Sequence, residues 1–387
     1  MFSSRLYCLL LLAVTAVASP VVESRADVTA SLPLTLQRNV TGGQEMVSAG
    51  RQRAQALRAY GHGKGHRPAD VPVANRDVIY TATVAVGSAG QTCDSNTWVG
   101  AAKPYIPSNT SQNTGKPVGV AYGSGYFVGE EYIDRVTLSK QLVINKQSIG
   151  DAEISNGIAP FDGILGRCQS AGILTCSPGS LLLNRTEEIP TVTDNLYSQG
   201  TIPRPALGVY FAPAASDSPG GALTFGGADS SLPKTTTSPA SAYWGYDQSI
   251  TYGGKQILAK TAGIADTGTT LIYLPTDAYR AYMASTGAVE DQQTGLLRVT
   301  AEQFENMQSL TFTVSGLWPR SRNAEIGGTP DGYYLIVANI GSNSGQGLDF
   351  INGYAFLERY YSYYDTKDSK MGFATTKYTN AVVNSQA

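Results

Sequence analysis

From Val78 onward, apolar residues come in short runs, and turn-forming residues break each run before it reaches helical length. Val78 to Val86 alternates weakly between apolar and polar positions and stops at Gly87. A strand points successive side chains to opposite faces, so this period predicts a half-buried strand. Val118 to Tyr122 leads into Gly123-Ser124-Gly125 and then Tyr126 to Val128. That order predicts a hairpin with a glycine-bearing tip. Helical signals are few. The best are Thr191 to Tyr197 and Pro275 to Ser285, the latter with proline near its start and apolar residues on one face. The pattern therefore predicts an all-β protein with a few short helices.

The first residues break this pattern. Arg5 precedes an apolar run from Leu6 to Val14, and small residues follow at Ala16-Val17-Ala18. The run is too short to span a bilayer, and the order of charge, apolar core and small residues predicts a signal peptide over 1–18. Secretion permits disulfides. With Cys8 removed, Cys168 and Cys176 are close enough to staple one loop, and Cys93 is left over. Asn39, Asn109 and Asn184 each begin an Asn-X-Ser/Thr sequon.

Composition then separates residues 19–75 from the rest. This stretch holds Arg25, Arg38, Arg51, Arg53, Arg58, Arg67 and Lys64, together with both histidines of the chain, His62 and His66. Gly61 to His66 is glycine-rich and basic, as a flexible, cleavable linker would be. The whole chain carries a net charge of −2, so the remainder is the more acidic part. Charge complementarity predicts a propeptide that covers an acidic cleft; the blander alternative is a disordered tail. Without residues 19–75 no histidine remains, which excludes Ser-His-Asp and Cys-His nucleophiles and histidine-ligated metals. Acid–base chemistry then falls to carboxylates. The near-neutral balance gives no footprint for nucleic acid.

The strongest chemical motif is Ile264-Ala265-Asp266-Thr267-Gly268-Thr269-Thr270-Leu271. An aspartate closes an apolar run, and a hydroxyl residue and a glycine follow it. Glycine permits a tight loop that presents the carboxylate to neighbouring hydroxyl and N–H donors. Asp-Thr-Gly alone is a weak signal. It gains weight from Phe161-Asp162-Gly163-Ile164-Leu165-Gly166 and Phe350-Ile351-Asn352-Gly353, apolar runs ending in glycine that recur once in each half.

With these stretches, Tyr122 to Gly125, Ile189 to Leu196, Ser238 to Gly245 and Gly347 to Gly353, the chain resembles the pepsin family of aspartic endopeptidases, and within it the polyporopepsin branch of wood-rotting fungi. The likeness runs from about Val78 to Tyr378. It implies a bilobal β fold, with an N-terminal lobe over 76–211 and a C-terminal lobe over 212–387. Each lobe gives one Asp-Thr-Gly loop to a cleft, and a flap closes over it. It implies that Asp266 is catalytic, that Tyr122, Gly123, Ser124, Gly268 and Thr269 bind substrate, and that Thr267 and Trp98 support them. It also implies a monomer that cuts polypeptides at acid pH, that is held by its own propeptide, and that has no metal, no cofactor and no stable membrane association.

One departure is large. The family's first loop reads Asp-Thr-Gly-Ser-Ser-Asn before a tryptophan, whereas this chain has Gly90-Gln91-Thr92-Cys93-Asp94-Ser95-Asn96-Thr97-Trp98. Aligned without gaps, Gln91 occupies the catalytic position. With gaps, Asp94 occupies it but lacks the Thr-Gly turn. The chain is also short between Ser231 and Thr235 and between Gly316 and Leu317. Abrupt losses beside intact stretches point to exon boundaries rather than scattered degeneration. The competing reading is an inactive pseudoprotease that keeps its cleft as a peptide groove. An aspartyl-phosphate enzyme is excluded, because its Asp-Lys-Thr-Gly-Thr lysine is missing.

Overall fold

The computed structural model describes residues 30–38, 42–61, 78–88, 91–93, 105–122, 125–156, 165, 189–213, 220–227, 232–314, 320–321 and 332–381. In chain order it opens with β1 (Ala30–Arg38) and α1 (Gly43–Gly61). β2 (Val78–Thr81), β3 (Val84–Val86) and β4 (Gln91–Cys93) follow. The long strands β5 (Gln112–Tyr122), β6 (Gly125–Thr137) and β7 (Val143–Asn156) come next, and then α2 (Val192–Ser198). β8 (Ala206–Phe211), β9 (Gly221–Phe225) and β10 (Leu232–Pro233) lead to β11 (Gly245–Tyr252), β12 (Lys255–Ala265) and β13 (Ile272–Leu274). After α3 (Thr276–Thr286) come β14 (Val289–Glu290), β15 (Leu297–Val299), α4 (Ala301–Glu305), β16 (Leu310–Thr313) and β17 (Arg320–Ser321). The chain closes with β18 (Tyr333–Leu335), β19 (Val337–Asn339), β20 (Phe350–Asn352), α5 (Tyr354–Leu357), β21 (Tyr360–Asp365) and β22 (Lys370–Thr375).

Three larger sheets divide the work. β5, β6 and β7 form the antiparallel body of the N-terminal sheet, with β3 and β4 continuing it beyond β6. A seven-stranded sheet in the order β17-β16-β11-β12-β20-β13-β19 forms the second body. A further seven-stranded sheet, β10-β22-β21-β8-β9-β1-β2, draws strands from both halves of the chain. Pairing between such distant segments makes the two halves one molecule.

The expected hairpin is present: β5 and β6 pair with Tyr122 opposite Gly125. The expected helices are present too. α2 begins after Thr191, whose hydroxyl accepts from the Asp194 N–H while the Asp194 carboxylate accepts from the Thr191 N–H. This reciprocal cap satisfies donors that a helix start otherwise leaves unpaired. α3 starts after Pro275, whose missing N–H costs nothing there.

One element goes beyond the expectations. Residues 43–61 belong to the basic stretch read as a cleft-covering propeptide or, more blandly, a disordered tail, and the sequence pattern assigns them no secondary structure. They form a 19-residue helix, and β1 before it lies between β9 and β2 in the shared sheet. The apolar side chains of Met46, Val47 and Ala54 recur at helical spacing and are buried. A helix of this composition is marginal alone and gains its stability from the face it packs.

The core of the second body explains the motif around Asp266. Ile272, Tyr273 and Leu274 of β13 are each at most 1 % exposed, so this strand is covered on both faces. Burial at that level is worth roughly 1.5–3 kcal/mol per large apolar side chain. Ile264 and Ala265 of β12 and Phe350 and Ile351 of β20 complete that layer.

Candidate active site

Asp266 stands where β12 ends. β12 pairs in parallel with β20, so Ala265 faces Asn352 in the register, and the Asp266 N–H donates to the Asn352 carbonyl at 3.1 Å. The next turn of chain folds back on the carboxylate. The Gly268 N–H donates to Oδ1 at 3.0 Å, and the Thr269 hydroxyl donates to Oδ2 at 2.6 Å. The segment after β20 clamps this loop from below: the Tyr354 N–H donates to the Thr269 carbonyl and the Ala355 N–H to the Thr270 carbonyl. Gly353 is required at that crossing. A Cβ there would lie 2.4 Å from the Thr269 carbonyl oxygen and 2.5 Å from that of Leu271. The recurring apolar-Gly run thus has a physical cause in this half: it lets two backbones approach. Its counterpart at Phe161 to Gly166 lies outside the described residues, apart from Leu165.

Beneath the loop, Asn352 is fully buried, and its amide donates to the Tyr246 hydroxyl at 2.5 Å and to Gln248 Oε1 at 2.9 Å. This polar contact fixes β20 against β11 and so fixes the base on which Asp266 sits.

The outer face of Asp266 is occupied. Arg53 of α1 reaches the carboxylate with two parallel hydrogen bonds, Nε to Oδ2 at 2.6 Å and Nη2 to Oδ1 at 3.0 Å. The side chains are 17 % and 12 % exposed, so the pair is largely shielded from water. Burial by itself pushes the Asp266 carboxyl up. The charge and hydrogen bonds of Arg53, with those of Thr269 and Gly268, outweigh it and hold the carboxyl below its ordinary value of 3.8. Burial likewise disfavours the Arg53 cation, and the charge and hydrogen bonds of Asp266 reverse that.

Around this pair α1 is tied down along its length. Arg51 Nε donates to the Asn339 carbonyl at 3.2 Å, and Arg58 Nη2 donates to the Leu348 carbonyl at 2.7 Å. The Tyr273 hydroxyl donates to the Met46 carbonyl at 3.0 Å, and the Tyr243 hydroxyl to the Leu57 carbonyl at 2.7 Å. Gly50 allows the approach to Tyr273, because a Cβ there would lie 2.1 Å from the tyrosine oxygen.

The structure therefore gathers Asp266, Gly268 and Thr269 in one turn. Thr269, expected to face substrate, is 2 % exposed and supports the carboxylate. Thr267, expected as the support, is exposed in the turn, as is Gly268. Tyr122 ends β5, which puts its backbone at the hairpin tip. Gly123, Ser124, Trp98 and Asp94 lie outside the described residues. Gln91, the ungapped candidate for the first carboxylate position, is in β4 opposite Val86, with Cys93 opposite Val84. Its place is a ladder strand, and Asp94 follows that strand directly.

Arg53 is the residue that sequence reasoning missed as an individual. The signal for it was present: an arginine-rich stretch with apolar residues at helical spacing, in a chain whose other part is acidic.

Comparison with known proteins agrees with this geometry. Residues 80–376 match the sequence profile of the family described as eukaryotic aspartyl protease. The chain is 49 % identical over 341 residues to polyporopepsin of Irpex lacteus, covering 81 % of this chain and 99 % of that protein. It is 30 % identical over 340 residues to human (Homo sapiens) gastricsin, covering 79 % and 83 % respectively. Its fold superposes on the crystal structure of the Irpex lacteus aspartic proteinase with a TM-score of 0.72 and 42 % identity, covering 92 % of this chain and 100 % of the other. An aspartate at a strand end, gripped by its own glycine turn and a threonine hydroxyl, in a chain with these likenesses, places the protein in the eukaryotic aspartyl protease family.

Proposed function

We propose that this chain is a secreted endopeptidase active at acid pH and made as a zymogen, with residues 1–18 as its signal peptide and 19–75 as its propeptide. The observation that carries the reading is the two-bond contact between Arg53 and Asp266. A carboxylate engaged by a guanidinium cannot take a proton from water, so the helix that holds Arg53 blocks the chemistry. Acid then favours release, because protonating Asp266 removes the charge that Arg53 binds.

Once freed, Asp266 acts with a second carboxylate across a shared water. Two close carboxylates resist ionising together and hold one proton between them. One takes a proton from the water as it attacks the peptide carbonyl, and the other donates to the carbonyl oxygen. No covalent intermediate arises. Asp94 is the acid next to the end of β4 and is the residue assigned to that second role.

A specific observation favours a second reading. β4 holds Gln91 in a ladder, and no Thr-Gly turn follows Asp94. A chain with one working carboxylate loses a positioned acid–base group worth roughly 10²–10⁴-fold, or about 3–5 kcal/mol of barrier. It would then serve as a peptide-binding pseudoprotease. The test is digestion of casein or haemoglobin at acid pH by the secreted chain, with and without a pepstatin-type inhibitor. Inhibitor-sensitive cleavage supports the protease. Inhibitor binding without cleavage supports the pseudoprotease. Neither cleavage nor binding sinks both. Transcript sequencing across Gly90 to Ser95 decides whether that junction is the expressed form.

A further inference from the structure

We propose that Asn109 carries an N-linked glycan, an inference that rests on the secretory reading above. Asn109-Thr110-Ser111 is a sequon on a β-turn, closed by the Ser111 N–H donating to the Ser108 carbonyl at 3.1 Å. Asn109 takes the second position of that turn and is exposed. Its Oδ1 accepts from the Ser88 hydroxyl, while its Nδ2 donates to no described residue.

The turn is held from beneath rather than through Asn109 alone. The Thr110 hydroxyl donates at 2.6 Å to Asp134, a fully buried carboxylate that also accepts from the Tyr105 hydroxyl at 2.7 Å and the Arg135 N–H at 2.7 Å. The Ser108 hydroxyl accepts from the Ser88 N–H at 3.1 Å. A turn anchored at its middle residue and exposed at its asparagine can bear a bulky substituent without disturbing the sheet behind it. In the transfer, Nδ2 forms a bond to the anomeric carbon of N-acetylglucosamine on a polyprenyl-diphosphate-linked oligosaccharide. The bond from that carbon to the diphosphate oxygen breaks, the polyprenyl diphosphate leaves with its electron pair, and the amide nitrogen loses one proton.

The full chain would be expressed in a secreting yeast in two forms, one with its own first 18 residues and one with the host's leader in their place. Cells and medium would both be treated with an endoglycosidase that leaves one N-acetylglucosamine, and occupancy read by peptide mass spectrometry. The expected result with the host leader is that most secreted chains retain one sugar on the peptide containing Asn109. Asn109→Gln and Ser111→Ala should lose it, and Ser111→Thr should keep it. Chains in the medium with a bare Asn109, or glycosylated chains confined to the cells, would overturn the proposal. Failure of only the native-leader form to enter the pathway would instead count against the signal peptide, which keeps the two outcomes distinct.

Discussion

At the scale of single residues, the contact between Arg53 and Asp266 sets the pH behaviour. The Asp266 carboxyl is held below 3.8, so its contribution to holding α1 is complete above that value and is lost as pH falls through the lowered one. Replacing Arg53 removes its charge and hydrogen bonds and leaves burial, which raises the carboxyl, opposed only by the Thr269 and Gly268 hydrogen bonds. Arg53→Gln should therefore shift the onset of N-terminal shortening to higher pH, read on gels over a pH series; an unchanged midpoint would count against Arg53 as the lock. Asp266→Asn should lower hydrolysis roughly 10²–10⁴-fold or more, measured on a peptide substrate after the first 75 residues have been cut away by an added protease. Comparable rates from the two forms would remove Asp266 from the chemistry.

At the scale of elements, α1 has several anchors, and acid acts most directly on one of them. Arg51 and Arg58 hold main-chain carbonyls, as do the Tyr273 and Tyr243 hydroxyls. Arg58 also feels the charge of the Asp349 carboxylate. The Arg53 contact differs in that its bonded partner is itself a carboxylate, whose charge is lost on protonation. Losing it should loosen the helix rather than eject it. In the Asp266→Asn chain, where the ion pair is absent at every pH, the amides of 43–61 should stay protected in hydrogen exchange. Exchange at the rate of an unfolded segment would show that the ion pair alone holds the helix. The capping box of α2 allows a cleaner stability test: Thr191→Ala should cost about 0.5–2 kcal/mol, read from urea denaturation.

At the scale of the whole molecule, the proposed activity turns on whether the N-terminal half supplies a second carboxylate. Inserting an Asp-Thr-Gly turn between Thr92 and Ser95 should raise acid hydrolysis by roughly 10²–10⁴-fold over the native chain. No change in rate, in a protein that still binds a pepstatin-type inhibitor, would show that Asp94 already performs that role. The shared sheet gives this scale its second constraint. β1 pairs with β9 and with β2, so removing residues before Asn75 takes out the strand that joins the edge strand β2 to the rest of a seven-stranded sheet.

Local chemistry was legible from the chain by itself. The hairpin at Tyr122 to Gly125, the helices after Thr191 and Pro275 and the Asp266 turn are all visible in sequence, because each depends on neighbours within a few positions. What only the tertiary structure decided depends on partners far apart. Residues 43–61 are only part of a basic stretch until a buried surface is offered to Met46, Val47 and Ala54. Thr269 and Thr267 look alike until the fold turns one hydroxyl onto the carboxylate and leaves the other residue exposed. Gln91 fits a catalytic alignment until the β3 ladder places it in a strand. Arg53 is one arginine among several until 213 positions of chain separation close to 2.6 Å at Asp266.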